Sequence, residues 1–215
     1  MNIDYFNTLE NISFDLEPIN YKVLQIKFDN QHTQKEIVDH LKQEEWTPYG
    51  AETKIDHNLW QGFRYKCHRP RSAMLQQIVR YFLSDQAKRK VIDALYLQKD
   101  EFRSMWGMDP EMMMDNSVLH AEFTKDRPGF ENGVHCDYRL LIGTGMVYFT
   151  DHDSIDHCTF FYDDPHRNNP MQIPSNFGQG WFHANDWNTW HDGWNRTQQD
   201  RYSMLLGLTV ILKNR

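Results

Sequence analysis

Near residue 115 the hydrophobic pattern of the chain changes period, and that change constrains the fold more than any other feature of the sequence. After it the apolar runs are short and separated by turn residues. Runs at 118–123, 134–142, 146–149, 158–162, 180–184, 189–191 and 202–212 read as strands. Gly143-Thr144-Gly145, Asp163-Asp164-Pro165 and Asn168-Asn169-Pro170 punctuate them. So many short strands in one stretch predict two packed sheets, a sandwich or jelly roll.

Before residue 115 the pattern is mostly helical. Residues 21–28 alternate and predict one strand. Thr33-Gln34-Lys35-Glu36 has the form of a capping box, with Ile37, Val38 and Leu41 as the apolar stripe behind it. Pro70 precedes a second helix with Met74, Leu75, Ile78, Val79 and Phe82 on one face. Ser84-Asp85 caps a third, with Ala87, Val91, Ala94 and Leu95. Asp109-Pro110 and the adjoining methionines predict a loop and a helical turn. The expected division is a cap of residues 1–116 and a core of residues 117–215, joined in one compact domain whose helices cover a sheet face.

Composition limits the function classes. A net charge of −7 and a pI near 5.8 create no basic field for nucleic acid, and Lys88-Arg89-Lys90 is the densest basic run. Cys67, Cys136 and Cys158 are too few and scattered for a disulfide framework, so they predict reduced thiols. The N-terminus has neither the basic nor the apolar region of a secretory leader. No apolar stretch approaches membrane-spanning length. The expectation is a cytoplasmic protein with no membrane partner.

His135-x-Asp137 is the first chemical signal. On a strand, residues i and i+2 share a face and can share a metal. Alone the pair is close to what chance supplies in a chain with 11 histidines. A third ligand has four claimants, His152, His157, His183 and His191. Two downstream residues favour His191: Arg201 ten positions on, and Ser203 on the same strand face as Arg201. A buried arginine at the head of an apolar strand needs an anion. That anion is either a bound acid or a carboxylate such as Asp163, Asp164 or Asp186. Two histidines and one aspartate suit an iron with open positions, and an arginine grips a carboxylate with two parallel hydrogen bonds. His120-x-Glu122 is a competing pair without equally spaced partners, and reads as structural.

His135-x-Asp137, His191 and Arg201-x-Ser203 together resemble the Fe(II)- and 2-oxoglutarate-dependent dioxygenases. Met146-Val147-Tyr148-Phe149 with Cys158-Thr159-Phe160-Phe161 after it is similar to the prolyl-hydroxylase branch. The resemblance covers roughly residues 117–212 and implies a double-stranded β-helix, with N-terminal helices on its major sheet. It also implies Fe(II) on His135, Asp137 and His191, and 2-oxoglutarate anchored by Arg201 with Ser203 and Tyr148 assisting. The implied reaction is hydroxylation of a peptide side chain or small molecule, releasing succinate and CO2, with ascorbate as a stimulant. A binding module with a vestigial site, or a cupin-like metal isomerase or hydrolase, would share the fold. Trp181, Trp187, Trp190 and Trp194 read as one wall of an aromatic core, with Trp187 or Trp194 lining the substrate mouth. Cys136 reads as a small buried residue pointing away from the metal.

Overall fold

The computed structural model describes residues 12–20, 23–29, 32, 34–49, 63–98, 105–137, 141–150, 156–173, 175–185 and 188–211. Thr33 of the predicted capping box, Trp187, Asp186 and the loop bearing His152 lie outside them. Among the described residues no helix is long and apolar enough to cross a membrane.

Twelve strands and four helices are described: β1 (Ser13–Pro18), β2 (Val23–Asp29), α1 (Gln34–Gln43), β3 (Thr47–Pro48), β4 (Arg64–Cys67), α2 (Ala73–Phe82), α3 (Asp85–Gln98), α4 (Pro110–Asn116), β5 (Ser117–Asp126), β6 (Phe130–His135), β7 (Leu141–Tyr148), β8 (His157–Tyr162), β9 (Met171–Ile173), β10 (Gln179–Ala184), β11 (Trp190–Asn195) and β12 (Arg201–Val210). The larger sheet has the order β1-β2-β10-β7-β12-β5-β4-β3, and the smaller has β6-β11-β8-β9. The two open sheets make the jelly roll that the strand pattern predicts, mostly β with helices on one side.

Strand alternation sorts the side chains into two cores. Met204, Leu206 and Leu208 of β12, Val147 of β7 and Phe182 of β10 meet Ile78, Phe82, Val91 and Leu95 of the helices. The opposite faces of these strands look toward the smaller sheet. There Met146, Tyr148 and Trp181 pack with Phe161 and Ile173. The helices therefore cover the outer face of the large sheet, and the inner face is left for a site.

The start of α3 agrees with its predicted cap. Ser84 Oγ accepts from the Ala87 amide at 3.2 Å. Glu44 accepts from the amides of Arg71 and Ser72 at 2.7 and 2.8 Å, which fixes the entry to α2. The predicted loop and turn near residue 110 form a helix, α4, with Asp109 accepting from the Met112 amide at 2.8 Å. The basic run is taken up by the protein's own groups. Lys88 donates to the carbonyls of Met114 and Ser117, Arg89 pairs with Glu111, and Lys90 donates to the Phe14 carbonyl.

Two expectations need correction. Residues 134–142 are not one strand, because β6 stops at His135 and β7 starts at Leu141. The predicted turn Gly143-Thr144-Gly145 lies inside β7, where the ring of Phe182 on β10 presses on the backbone. A Cβ at Gly143 would stand 2.6 Å from that ring. These glycines allow a close approach and do not turn the chain.

Candidate functional site

His135 ends β6, and antiparallel pairing with β11 puts His191 directly opposite it. Asp137 comes two residues later, beyond the strand end, so the shared-face argument places His135 but not Asp137. The chain nonetheless returns the carboxylate to both rings. Asp137 Oδ1 is 3.6 Å from His135 Nε2, and Oδ2 is 3.7 Å from His191 Nε2. Among the described residues, His135, Asp137 and His191 form the group whose donor atoms all lie within 4.8 Å of one another. Neighbouring ligands on one ion, with bonds of about 2.1 Å, stand roughly 3 Å apart, so a small inward movement would close this set on a metal.

The ring tautomers suit that role. His135 Nδ1 lies 2.7 Å from the Gly133 carbonyl, and His191 Nδ1 lies 3.1 Å from the Thr189 carbonyl. A carbonyl only accepts, so each Nδ1 carries the hydrogen and each Nε2 keeps its lone pair for a metal. Burial holds the His191 ring down to about 3, despite Asp137, and so keeps it neutral. His135 shifts the other way. Burial lowers it, but the hydrogen bond and charge of Asp137 outweigh that. Burial would also raise Asp137, yet the three nearby histidines hold it well below the usual carboxylate range.

The far wall of the same cavity is cationic. β5 lies between β4 and β12, and Asp126 is the register partner of both Arg64 and Arg201. Arg64 donates to both oxygens of Asp126, at 2.6 and 2.9 Å. Arg201 donates to Oδ2 through Nε at 3.0 Å and through Nη2, and its Nη1 reaches the Trp194 carbonyl at 3.1 Å. All three residues are buried. The counter-ion of Arg201 is thus Asp126, and neither Asp163 nor Asp164 takes that place. Two guanidiniums share one carboxylate, which leaves a net positive charge. Arg64 also lies over the Phe130 ring at 4.2 Å.

Arg64, Arg201, Phe130, His135, Asp137 and His191 line one cavity of about 150 Å³. Tyr148 and Ser203 stand behind its wall. The Tyr148 hydroxyl accepts from Trp181 Nε1 at 3.0 Å and lies 2.7 Å from Thr159 Oγ1, which does line the cavity. Ser203 Oγ is 2.7 Å from Thr124 Oγ1. Trp181 belongs to the small core, as expected of it. Trp194 instead stacks with Phe160 at 4.9 Å and under Arg196 at 4.3 Å. Cys136 is half-buried, not buried. His120 pairs with Thr209 and Glu122 with His68, so that pair is structural.

Sequence reasoning missed Arg64 and Asp126, and it passed over His183 as a claimant in favour of His191. His183 is fully buried, with Nε2 3.2 Å from Asp137 Oδ2. Its one visible signal was alternation, since Trp181 and His183 share the strand face opposite Phe182 and Ala184.

Two facing sheets of these strand orders, with a His/Asp/His group at the mouth between them, have the fold of the 2OG-Fe(II) oxygenases and prolyl 4-hydroxylases. Among solved structures, the chain is similar to a prolyl hydroxylase from Trichoplax adhaerens in complex with a hypoxia inducible factor oxygen degradation domain peptide fragment. That likeness has a TM-score of 0.54 at 12% identity over 82% of this chain and 76% of the other. A Pseudomonas putida prolyl-4-hydroxylase gives 0.53 at 11% identity, over 77% and 78%. A Burkholderia pseudomallei oxidoreductase of the 2OG-Fe(II) oxygenase family gives 0.50 at 11%, over 96% and 88%. No protein-family model matches the sequence, and no curated protein matches it.

Proposed function

We infer that the protein is an Fe(II)- and 2-oxoglutarate-dependent dioxygenase that hydroxylates a C–H bond of a peptide side chain or small molecule. Succinate and CO2 are the accompanying products. The observation that carries this reading is the pairing of two unlike walls in one small cavity, a metal-ligand triad opposite a buried site with one uncompensated positive charge. A short acid with a carboxylate at its far end and a chelating 2-oxo acid at the other answers both walls.

The donor set fits iron. Its three groups are two imidazoles and one carboxylate, a set that leaves positions open. When bound, iron and 2-oxoglutarate supply the activation of oxygen. The protein's own residues do the rest. Arg201 and Arg64 hold the distal carboxylate, with Asp126 fixing both guanidiniums so that little order is lost on binding. Phe130, Trp181 and Leu205 exclude water from the space between. Tyr148 and Ser203 brace Thr159 and Thr124. At about 150 Å³ the cavity is below the roughly 300–1,000 Å³ of drug-sized sites, so the substrate to be oxidised approaches from outside it. The neighbour with a bound peptide supports a peptide as one class of that substrate.

The test is metal uptake and succinate release with Fe(II), ascorbate and 2-oxoglutarate. His135→Ala and His191→Ala are expected to lose both. Arg201→Ala should weaken 2-oxoglutarate by about 2–5 kcal/mol, as truncating one partner of a buried charge pair does. Arg64→Ala should act in the same direction. Tight zinc or manganese without succinate would indicate a metal isomerase or hydrolase instead. Failure to take up any metal would leave a binding module.

A further inference from the structure

We propose that Asn132 is a positioning residue for the acid bound beside the metal. Its amide pairs with His135 Nε2, and when a metal takes that nitrogen the amide passes to the near carboxylate of the acid. This rests on the metal reading of the triad and deepens it, naming a residue for the end of the acid that Arg201 and Arg64 do not hold.

A bulge puts the side chain there. β6 pairs with β11, with Asn132 opposite Gly193 and His135 opposite His191. Three steps along β6 therefore match two along β11, and the extra residue lies at Gly133-Val134. In an even strand, residues three apart face opposite ways. The bulge resets the alternation, so that Asn132 and His135 both line the cavity. The Gly133 carbonyl, inside the bulge, lies 2.7 Å from His135 Nδ1 and leaves Nε2 facing Asn132. Phe130, two residues before Asn132, lies under Arg64. β6 thus runs from the arginine wall to the triad, and Asn132 stands between them.

The contact is made at the ligating atom itself. Asn132 Nδ2 is 3.2 Å from His135 Nε2. Neighbouring ligands on one ion stand roughly 3 Å apart, so this amide borders the place of the next ligand. Nε2 has one position for a partner. Once it ligates a metal it has nothing left for the amide, whatever the charge of the ring beforehand. The amide must then pair elsewhere. Two other polar groups of the lining are already engaged: Thr159 Oγ1 lies 2.7 Å from the Tyr148 hydroxyl, and Thr144 Oγ1 accepts from Asn185 Nδ2 at 3.1 Å. A carboxylate that gives one oxygen to a metal leaves the other to be satisfied. Leaving it unpaired is costly in a cavity walled by Phe130, Trp181 and Leu205. The Asn132 amide is the donor placed to satisfy it.

Co(II) is the probe metal for the test, because its visible bands report its ligands. Asn132→Leu keeps the side-chain volume and removes the amide. This variant should bind Co(II) at least as tightly as wild type, since the amide no longer competes for Nε2. 2-Oxoglutarate should bind its Co(II) form about 10–100-fold more weakly, the range for a lost hydrogen bond to a charged group. Pyruvate, a 2-oxo acid without the distal carboxylate, should lose the same factor, which separates this end of the acid from the arginine end. Unchanged affinity for both acids would overturn the proposal. So would Co(II) binding weakened by the same factor as the acids, because Asn132 would then only brace His135. A measurement on the unmodified protein serves even if the variant fails to fold. In the 15N-labelled, Zn(II)-loaded protein, the Asn132 side-chain amide resonances should move when either acid is added, and unmoved resonances would overturn the proposal. Wild-type protein that takes up neither metal would remove the triad reading as well, whereas normal uptake with an indifferent Asn132 variant removes this inference alone.

Discussion

Asp126 sets the charge of the cavity wall. Its neighbours across both strands are arginines, so a single buried carboxylate faces two cations. Removing one partner of a buried ion pair costs about 3–5 kcal/mol, because the remaining charge is left uncompensated. Asp126→Asn should therefore lose about that much stability at neutral pH, read as a lower urea midpoint with an unchanged slope. The pH dependence has a definite sign. Burial alone would raise this carboxyl, but Arg64 and Arg201 outweigh burial and hold it below its usual value of about 3.9. Its contribution is thus complete above about pH 4 and is lost as pH falls through the lower folded value. Wild type should lose stability on acidification more steeply than Asp126→Asn, and equal slopes would refute the pairing. The sequence showed half of this cluster. A buried arginine that needed an anion could be read at Arg201, but its partner depends on strand register. Asp126 is 75 residues away in the chain and directly opposite in the sheet.

At the scale of elements, legibility depended on length and alternation. The helices α1, α2 and α3 and the strands β2, β5, β8, β10 and β12 announce themselves by apolar period. β9 has three residues and β3 two, too few for any pattern, and β4 reads Arg-Tyr-Lys-Cys, which is mostly polar. β1 buries only Phe14 of its six residues. The glycines of β7 are the instructive failure, since they carry turn chemistry by composition and close packing in fact, and Gly180 of β10 packs as closely. They also give a test of the β7–β10 contact. A Cβ at Gly143 meets chiefly the Phe182 ring, at 2.6 Å, with the His183 carbonyl oxygen at 2.8 Å. At Gly180 the added carbon would overlap the backbone carbonyl of Met146, which cannot rotate away. Gly143→Ala should cost about 1–3 kcal/mol, the usual range for overpacking, and Gly180→Ala distinctly more. Urea unfolding of the two variants decides this, and a Gly180→Ala protein as stable as wild type would show that β10 does not lie so close to β7. Because β10 presents Trp181 to the cavity, the lesion should also reach the candidate metal site.

For the molecule as a whole, the division at residue 116 that the change of period suggests does not match the sheet. β1, β2, β3 and β4 precede it and make half of the eight-stranded sheet. β2 covers the outer edge of β10, and β4 covers that of β5 and brings Arg64 to Asp126. The helices before residue 117 cover Leu119, Phe123, Val147, Met204, Leu206 and Leu208. We propose that residues 117–215 cannot fold alone, although they hold the triad and Arg201. Uncovering those six side chains forfeits about 1.5–3 kcal/mol each. The sum reaches the roughly 5–15 kcal/mol by which a whole domain is stable. The fragment would also expose the edges of β10 and β5, and an open strand edge invites aggregation. Residues 117–215 expressed alone should therefore lack near-ultraviolet dichroism and a cooperative urea transition, and should hold Co(II) no better than a denatured chain. Co-expression with residues 1–116 should restore all three. A sharp unfolding transition in the isolated fragment would mean that the inner core of Met146, Tyr148, Phe161, Ile173 and Trp181 is enough to hold the two sheets together, and that the N-terminal half is an addition to the site and not part of its foundation.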